Sequence, residues 1–325
     1  MSPQPISVRS LSDVALIAPY MLGYWPQQSV CAIVVDDDDH VLLIMRWHVK
    51  APEVPPHLPL VDDAGAAAFH LVIYAEDGHQ HIDAWTGIAD DIASRGIPRG
   101  RVLSVGHFGS GTSPEAGFAV HAFDASGGAA EEARVSSAQI AHAAERWGLP
   151  GWAASREEYV ADIAADPALV GQVSALLVDT VPLDEAMRDR AIALVVRSLD
   201  DAPMTPDLIA SLLVSLADVR VRDTVLWDLM HSGPDTWSRA ADRLARVVAG
   251  SPDGRVAPPA TLLAILRWQL GDGSRAAAAV ERALAGDPAY ALADLINRSL
   301  LAGLHPGVWA AGLADLSREA CRRSA

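Results

Sequence analysis

The fold of the first half is decided by the stretch VCAIVVDDDDHVLLIMRW, residues 30–47. Two apolar runs, residues 30–35 and residues 41–47, flank the aspartates at positions 36–39. Apolar runs of this length around a turn-forming segment predict a β-hairpin. Because both runs are apolar almost without interruption, we expect both faces of the hairpin to be covered.

Upstream of the hairpin, the sequence predicts a short helix. Ser10 and Asp13 have the spacing of a capping box, in which each side chain binds a backbone N–H at the start of a helix. Pro19 should disturb this helix because proline has no N–H to donate, and residues 23–26 should end it. The helix would therefore lead directly into the first strand of the hairpin.

Downstream of the hairpin, strand and helix patterns alternate. Residues 69–74 and 101–108 are strand-like, and residues 79–94 between them place their apolar side chains on one helical face. This strand–helix–strand order predicts a parallel pair, and with the hairpin it predicts a mixed sheet. The last elements predicted in this half are a strand, a small-residue linker and a helix, at residues 118–123, 125–130 and 136–147.

Beyond Pro150 the pattern becomes helical almost throughout. Ser155 and Glu158 form a second capping box, and Thr205–Pro206 is a typical start of a helix. Further helices are predicted at residues 184–199, 206–216, 223–230, 236–248, 260–270, 275–285 and 290–302. We therefore predict two domains: an α/β N-terminal domain with a mixed sheet (1–150) and an all-α C-terminal domain with tetratricopeptide-like helical hairpins (151–325).

The hairpin prediction for the second domain comes from its last part. Ala264, Ala276 and Ala283 are small residues at spacings that let two helices touch, and Pro288 follows the second helix. The glycines at positions 271 and 273 provide a turn midway. No second copy appears at the period of about 34 residues that a tetratricopeptide array requires, so we predict the packing of one such hairpin and not a solenoid.

Composition narrows the classes of function. The chain has 325 residues, of which 50% are hydrophobic and 20% charged, which permits a sizeable core. The formal net charge of −16 repels nucleic-acid phosphates and anionic membranes, so neither is an expected partner. No apolar run approaches the roughly 18–20 residues of a membrane span, and residues 1–9 lack the apolar core of a secretory signal. We expect a cytoplasmic protein.

The two cysteines, Cys31 and Cys321, do not suggest a disulfide framework or an all-cysteine zinc site. Cys31 lies in an apolar run and should be buried, whereas Cys321 lies in a tail that should fray. The sequence predicts no cofactor.

Several segments together resemble an actinobacterial family, domain-of-unknown-function family 4192. The resemblance is carried by RSLSDVA at 9–15, PYMLGYWPQQSV at 19–30, SREE at 155–158, VRD at 221–223, LGDG at 270–273 and ALAGDP at 283–288. It covers most of the chain, and the opening segment is its more specific part. Members of that family carry a Cys-Cys-Pro segment after a later strand, where this chain reads GHFGSGTSPEAG at 106–117. The resemblance implies no established activity.

Metal binding is the first hypothesis that the first half suggests. Its histidines are numerous: His40, His48, His57, His70, His79, His81, His107 and His121. They lack the paired spacing of known zinc motifs, so ordinary histidines are favoured, and His70 in a strand could donate to a backbone carbonyl. The aspartates at 36–39 lack the glycine and distal glutamate of an EF-hand loop and are typical of a solvated turn. We predict no metal site.

The glycine-rich segment at residues 106–117 is the best candidate for a small-ligand site. It follows a strand, where α/β folds place ligands, and its backbone amides could hold a phosphate. His107, Ser110, Thr112 and Ser113 would be its polar groups. The segment matches neither a P-loop nor a dinucleotide-binding motif, and a plain surface connection is the favoured alternative.

Two further groups could be structural or functional. Tyr20, Tyr24 and Trp25 follow a proline and could form an aromatic interaction surface, with a core plug as the alternative. Arg222 and Asp223 are neighbours in sequence, so we expect each to reach a different partner, with Arg222 binding a carboxylate of a neighbouring helix.

Two function hypotheses follow. The helical half and the acidic surface favour a non-catalytic cytoplasmic protein-interaction or scaffold protein with a protein partner. The alternative is an enzyme or small-ligand sensor with its site at the glycine-rich 106–117 loop. We predict no catalytic residues, and a homo-oligomer stays open.

Overall fold

The computed structural model describes residues 5–50, 65–76, 78–94, 96–107, 117–124, 128–178, 182–314 and 316–323. The chain forms two compact units, residues 1–159 and residues 160–325. The boundary lies a little beyond the predicted change at Pro150. The predicted fold class is confirmed, because the first unit contains a mixed sheet with helices and the second is largely helical.

The described strands of the first unit form one six-stranded sheet in the order β2-β1-β3-β4-β5-β6. They are β1 (Ser29–Val35), β2 (Val41–His48), β3 (Ala68–Tyr74), β4 (Arg99–His107), β5 (Gly117–Phe123) and β6 (Ala129–Ser136). β3 and β4 are parallel, and every other neighbouring pair is antiparallel. The mixed sheet and the parallel crossover that the sequence predicts are therefore both present.

The predicted hairpin is β1 paired with β2, with Ile33 opposite Ile44. β1 lies between β2 and β3 and is buried at every residue, as expected. β2 lies at the edge of the sheet, and its residues alternate mostly between half-buried and exposed. The expectation that both faces are covered is therefore right for β1 and wrong for β2, which has β1 as its one neighbour among the described strands.

Helices cover both faces of the sheet. α1 (Leu11–Leu22) and α3 (Ser137–Trp147) contribute to one core, together with strand residues such as Cys31 and Ile33. α2 (Ile82–Ser94) contributes to the other core, which includes Val30 and Ala32. Successive residues of β1 thus enter opposite cores, as the twofold alternation of a strand requires. A 3-10 turn at Gly78–His81 precedes α2.

α1 begins with the predicted capping box and continues through Pro19 to a left-handed Gly23. The expectation that Pro19 disturbs the helix is wrong, and the structure supplies the reason. Proline cannot donate to the carbonyl four residues earlier, which belongs to the buried Ala15. The hydroxyl of Tyr74 in β3 donates to that carbonyl at 2.7 Å, so the acceptor that Pro19 leaves open is satisfied from the sheet.

Tyr74→Phe removes this donor and leaves the buried Ala15 carbonyl without its partner. We expect the free energy of unfolding of the first unit to fall by about 2 kcal/mol, since an orphaned buried acceptor costs roughly 1–3 kcal/mol. Urea unfolding followed by circular dichroism measures the change.

Tyr20→Phe is the matched control for that substitution. The Tyr20 hydroxyl donates to the Ile140 carbonyl, also at 2.7 Å. Ile140 lies within α3, where a backbone N–H four residues on supplies a second donor. We expect a loss of only about 1 kcal/mol. Equal losses for the two variants would contradict the role assigned to the Tyr74 hydroxyl.

β6 is the one strand of the described sheet that the sequence does not predict. The predicted linker at 125–130 overlaps its start, and residues 125–127 lie outside the described part of the chain. β6 pairs with β5, with Val120 opposite Ala133. Its sequence, AAEEARVS, shows no apolar alternation because nearly all of its residues are exposed. The signal on which strand prediction depends is therefore absent.

The second unit is built from helices. They are α5 (Pro167–Leu176), α6 (Glu185–Asp201), α7 (Pro206–Leu216), α8 (Val219–Met230), α9 (Pro234–Ala249), α10 (Asp253–Gln269), α11 (Gly273–Gly286), α12 (Ala291–Leu301), α13 (Pro306–Ala314) and α14 (Arg318–Arg323). A short helix, α4 (Arg156–Tyr159), ends the first unit and carries the predicted Ser155–Glu158 capping contact. The sequence misses α5, α13 and α14.

α10 begins earlier than predicted and contains both Pro258 and Pro259. The carbonyls that these prolines cannot bind belong to Gly254 and Arg255 in the first turn, which is partly open to water. α10 packs closely against α11, and Ala264, Ala276 and Ala283 are fully buried. The small residues that the sequence places at this contact are therefore in the core.

Two local expectations about the second unit are corrected. Arg222 donates from Nε to the adjacent Asp223 at 2.8 Å and from Nη1 to the Tyr290 hydroxyl at 2.7 Å. The carboxylate that it binds is therefore that of its own neighbour, and its contact at the start of another helix is a tyrosine hydroxyl. The flexible arginine side chain folds back to its neighbour, which backbone geometry alone does not reveal. Cys321 does not lie in a frayed tail: it is buried within α14.

Candidate functional site

The glycine-rich segment lies mostly outside the described residues. Ser110, Thr112 and Ser113 are outside the described part of the chain. His107 is the last residue of β4, and the structure describes its backbone. β3 and β4 are parallel, so their carboxyl ends lie at the same edge of the sheet. The described groups at this edge include the buried Ser104, whose hydroxyl would lie 2.6 Å from a Cβ at Gly78. The turn after β3 thus packs tightly on β4.

The aromatic residues proposed as an interaction surface lie in the core. Tyr20, Tyr24 and Trp25 are 5%, 2% and 3% exposed. Tyr20 makes an edge contact with Trp152, with ring centroids 4.6 Å apart, and Trp25 makes one with Tyr74 at 5.4 Å. The structure therefore supports the core-plug alternative, because α1 packs its end against the sheet and leaves these rings no exposed face.

The run of aspartates at 36–39 has a structural role. Among the described residues, no three His, Cys, Asp or Glu side chains converge as metal ligands would. Asp36 instead accepts the backbone N–H groups of Asp38 and His40 at 2.9 and 2.8 Å. The hydrogen bond from the His40 backbone, with those from Asp38 and the His40 ring, lowers the pKa of Asp36. The aspartates at 36–39 thus form a turn, and the side chain of Asp36 stabilises that turn through these hydrogen bonds.

His70 is buried in β3, and its ring is an acceptor. Its Nδ1 accepts the backbone N–H of Arg101 at 2.9 Å, so the expected donation to a carbonyl is replaced by the reverse contact. Gly100 makes the approach possible, because a Cβ there would lie 2.6 Å from the ring nitrogen. Burial, helped by the charge of Arg101, lowers the pKa of His70 to about 4. The ring is neutral at neutral pH.

The free energy of unfolding should therefore depend on His70 in acid. Between pH 6.5 and pH 4 the unfolded chain takes up a proton at His70 that the folded protein does not, so stability falls as the pH falls. The loss reaches about 3 kcal/mol near pH 4. Urea unfolding at a series of pH values measures it. In His70→Asn, whose Oδ1 can take the place of Nδ1, this part of the pH dependence should vanish; an unchanged slope would contradict it.

A cleft of about 810 Å³ lies in the helical unit, bordered by α6, α8, α9 and α14. Its floor is apolar and includes Ile192, Val196 and Leu199 of α6, Leu229 of α8 and Ala240 of α9. Its volume is within the range of ligand-binding clefts, which is roughly 300–1,000 Å³. An apolar floor of this kind favours a ligand or peptide that brings apolar groups.

The rim of the cleft is charged, and three aspartates there hold arginines. Arg318 of α14 binds Asp228 through two hydrogen bonds, of 2.6 and 2.8 Å, and these bonds raise the pKa of Arg318 despite its partial burial. Arg322, one turn further on, lies 2.5 Å from Asp189 of α6. Arg239 of α9 binds Asp200 at 3.0 Å. These pairs join α14 to α6 and α8, and α9 to α6.

Arg197 is the exception on this rim. It is exposed on α6, between the apolar Val196 and the paired Asp200, and no hydrogen bond or ion pair engages it among the described residues. A guanidinium of this kind can bind a carboxylate or phosphate in a bidentate geometry. As far as the described residues show, the cleft therefore combines an apolar floor with an uncompensated cation on its rim.

A smaller cleft of about 380 Å³ lies beside the first, and Arg322 lines both. Its other charged groups include Glu185, Arg188 and Glu319. Arg188 already binds Asp218, the N-cap of α8, at 3.2 Å. Most of its charges are thus internally paired, and the larger cleft is the better candidate site.

Sequence reasoning does not find this cleft. It leaves out α14, which lines one side of the cleft. A usable signal exists in the spacing of Arg318 and Arg322, which puts two cations on one helical face with Cys321 beside them. What the spacing cannot give is the position of the aspartates, which come from helices about 90 and 130 residues earlier in the chain.

Comparisons with known proteins give one match. The family model described as "Domain of unknown function (DUF4192)" matches residues 13–307. The matched part includes the sheet and the helices that form the cleft floor, and it ends before α14. No curated protein and no solved structure matches the chain significantly. In the described part of the chain, every helix is too short or too polar to cross a membrane.

Proposed function

We propose that this chain, which belongs to the DUF4192 family, is a non-catalytic protein-interaction or scaffold protein of the cytoplasm. The observation that carries the proposal is the cleft of the helical unit, with its apolar floor and charged rim. Clefts between helices commonly accept an extended or helical segment of a partner, whose apolar side chains enter the groove. The binding element would be the face formed by α6, α8 and α9.

The charges of the cleft indicate the chemistry of the partner segment. Asp189, Asp200 and Asp228 each bind an arginine, an arrangement that anchors helices to one another. Arg197 is a cation that no hydrogen bond or ion pair engages in the described part of the chain, so it can meet a ligand. A segment with apolar side chains and a neighbouring carboxylate would satisfy both the floor and Arg197. The partner would thus be recognised by local charge, although the chain as a whole carries a net charge of −16.

Arg197→Glu should weaken partner binding at least tenfold, because it replaces an attracting cation by a repelling carboxylate. The full-length chain is used as bait in its native lysate, and captured proteins are quantified by mass spectrometry. We expect at least one protein that the wild type retains and Arg197→Glu loses. Since Arg197 is exposed and makes no described contact, the fold should be unaffected.

Arg190→Glu is the matched control. Arg190 lies on the same helix, is exposed, and lines neither cleft. Arg190→Glu changes the net charge of the chain as much as Arg197→Glu does. Because Arg190 lies outside the cleft, a partner that binds in the cleft should remain bound to this variant. Loss of the same proteins from both variants would assign them to nonspecific electrostatics. If both variants retained all the proteins that the wild type captures, Arg197 and the cleft would not be the binding site.

The alternative, an enzyme or small-ligand sensor, is favoured by one observation in the first unit. β4 ends at His107, directly before the candidate segment in the sequence, and its carboxyl end lies at the same edge of the sheet as that of the parallel β3. Such ends are where α/β sheets bind ligands. His107→Ala tests it: a thermal-shift response to a nucleotide or phosphate panel should be present in the wild type and reduced in the variant. An identical response in both proteins would exclude His107 from any such site.

A further inference from the structure

β6 is an edge strand with an exposed surface. Among the described strands, its only neighbour is β5. Residues 129–132 and Arg134 are exposed, Ala133 is half-buried and Val135 is buried. The outer edge of such a strand presents backbone N–H and C=O groups that another strand can bind. Edges of this kind serve as docking sites by β-strand addition.

The side chains of β6 have a pattern that fits a second copy of the same strand. The central residues read Glu131, Glu132, Ala133, Arg134 and Val135. Glu132 and Arg134 are two residues apart and therefore lie on the same face of the sheet. If a twofold axis passes between two copies of Ala133, Glu132 of each copy lies opposite Arg134 of the other. Both cross-strand pairs are then of opposite charge, which stabilises an antiparallel pair.

Symmetric registers centred on the charged residues of β6 are disfavoured. In an antiparallel pair, two residues that lie directly opposite each other point to the same face of the sheet. A twofold axis perpendicular to the sheet leaves every residue on the same face in both copies. Such an axis must therefore place one residue opposite its own copy. An axis at Glu131 or Glu132 would oppose two carboxylates, and an axis at Arg134 would oppose two guanidinium groups. Like charges directly opposite destabilise the pair. Among these positions, Ala133 gives the register without such a conflict.

From this pattern we propose that the protein forms a symmetric homodimer in which β6 pairs antiparallel with β6 of a second copy, centred on Ala133. The two six-stranded sheets become one continuous sheet across the dyad. Main-chain hydrogen bonds supply the attraction, and the Glu132–Arg134 pairs fix the register. A strand pair alone buries less surface than the roughly 1,200–2,000 Å² of stable complexes, so the dimer is in equilibrium with the monomer over accessible concentrations.

Charge reversal tests the register on the full-length chain. Glu132→Arg and Arg134→Glu each turn both cross-strand pairs into like-charge pairs, and each should raise the dimer Kd about tenfold. The double variant, Glu132→Arg with Arg134→Glu, restores both pairs with reversed direction and should recover the wild-type Kd. Sedimentation equilibrium measures the Kd against a monomer mass of 34.3 kDa, and circular dichroism checks that each variant is folded.

A cross-link tests the dyad directly. In Ala133→Cys the two new thiols face each other across the axis, with Cα atoms about 4.5–5.5 Å apart, which is within the range for a disulfide. We expect a covalent dimer on mild oxidation. Ala130→Cys is the matched control on the same exposed strand: its two copies would lie about 20 Å apart along the pair and should stay monomeric.

Three results would overturn the proposal. One is a protein that remains monomeric at the highest soluble concentration and gives no Ala133→Cys dimer. Another is a dimer that neither charge reversal weakens, since a different surface would then hold it. The third is cross-linking of Ala130→Cys as readily as Ala133→Cys, which would indicate random collision or another register.

Discussion

The first unit depends on one constraint: strands that are buried on both faces need helices on both faces. β1 and β3 carry almost no exposed residue, and successive side chains of β1 enter two different cores. α1 and α3 close one side, while α2 closes the other. β2 and β6 receive less cover because they lie at the edges of the sheet. The centre of the sheet is therefore structural, and its edges are where the unit can meet other molecules.

The second unit combines two kinds of contact. Small alanines allow α10 and α11 to approach closely, so the centre of this unit is dense and apolar. Around the cleft the contacts are ionic instead, and the ion pairs of Arg318 and Arg322 hold the short α14. Exposed ion pairs contribute little stability each, so α14 also depends on the burial of Cys321 and on its packing against α8. The family match covers residues 13–307, so the helices of the cleft floor lie within the matched part and α14 lies outside it.

The sequence predicts best those elements whose burial is periodic. The hairpin, the crossover at β3 and β4, and the capped helices at Ser10 and Thr205 all follow from local patterns. β6 is not predicted because an exposed edge strand has no alternation of apolar and polar residues. α14 is not predicted because a helix of six residues is too short to show a helical period. The cleft cannot be predicted from the sequence for a third reason. Its ion pairs join residues far apart in the chain, and only the tertiary structure brings them together.

The contact between Tyr74 and the Ala15 carbonyl has an evolutionary consequence. Any residue other than proline at position 19 would supply its own N–H to that carbonyl, which would then no longer depend on the hydroxyl at position 74. A relative without the proline should then tolerate phenylalanine at 74, whereas a relative that keeps the proline should keep the tyrosine. Positions 19 and 74 are thus expected to change together across the family, although they lie in a helix and a strand 55 residues apart.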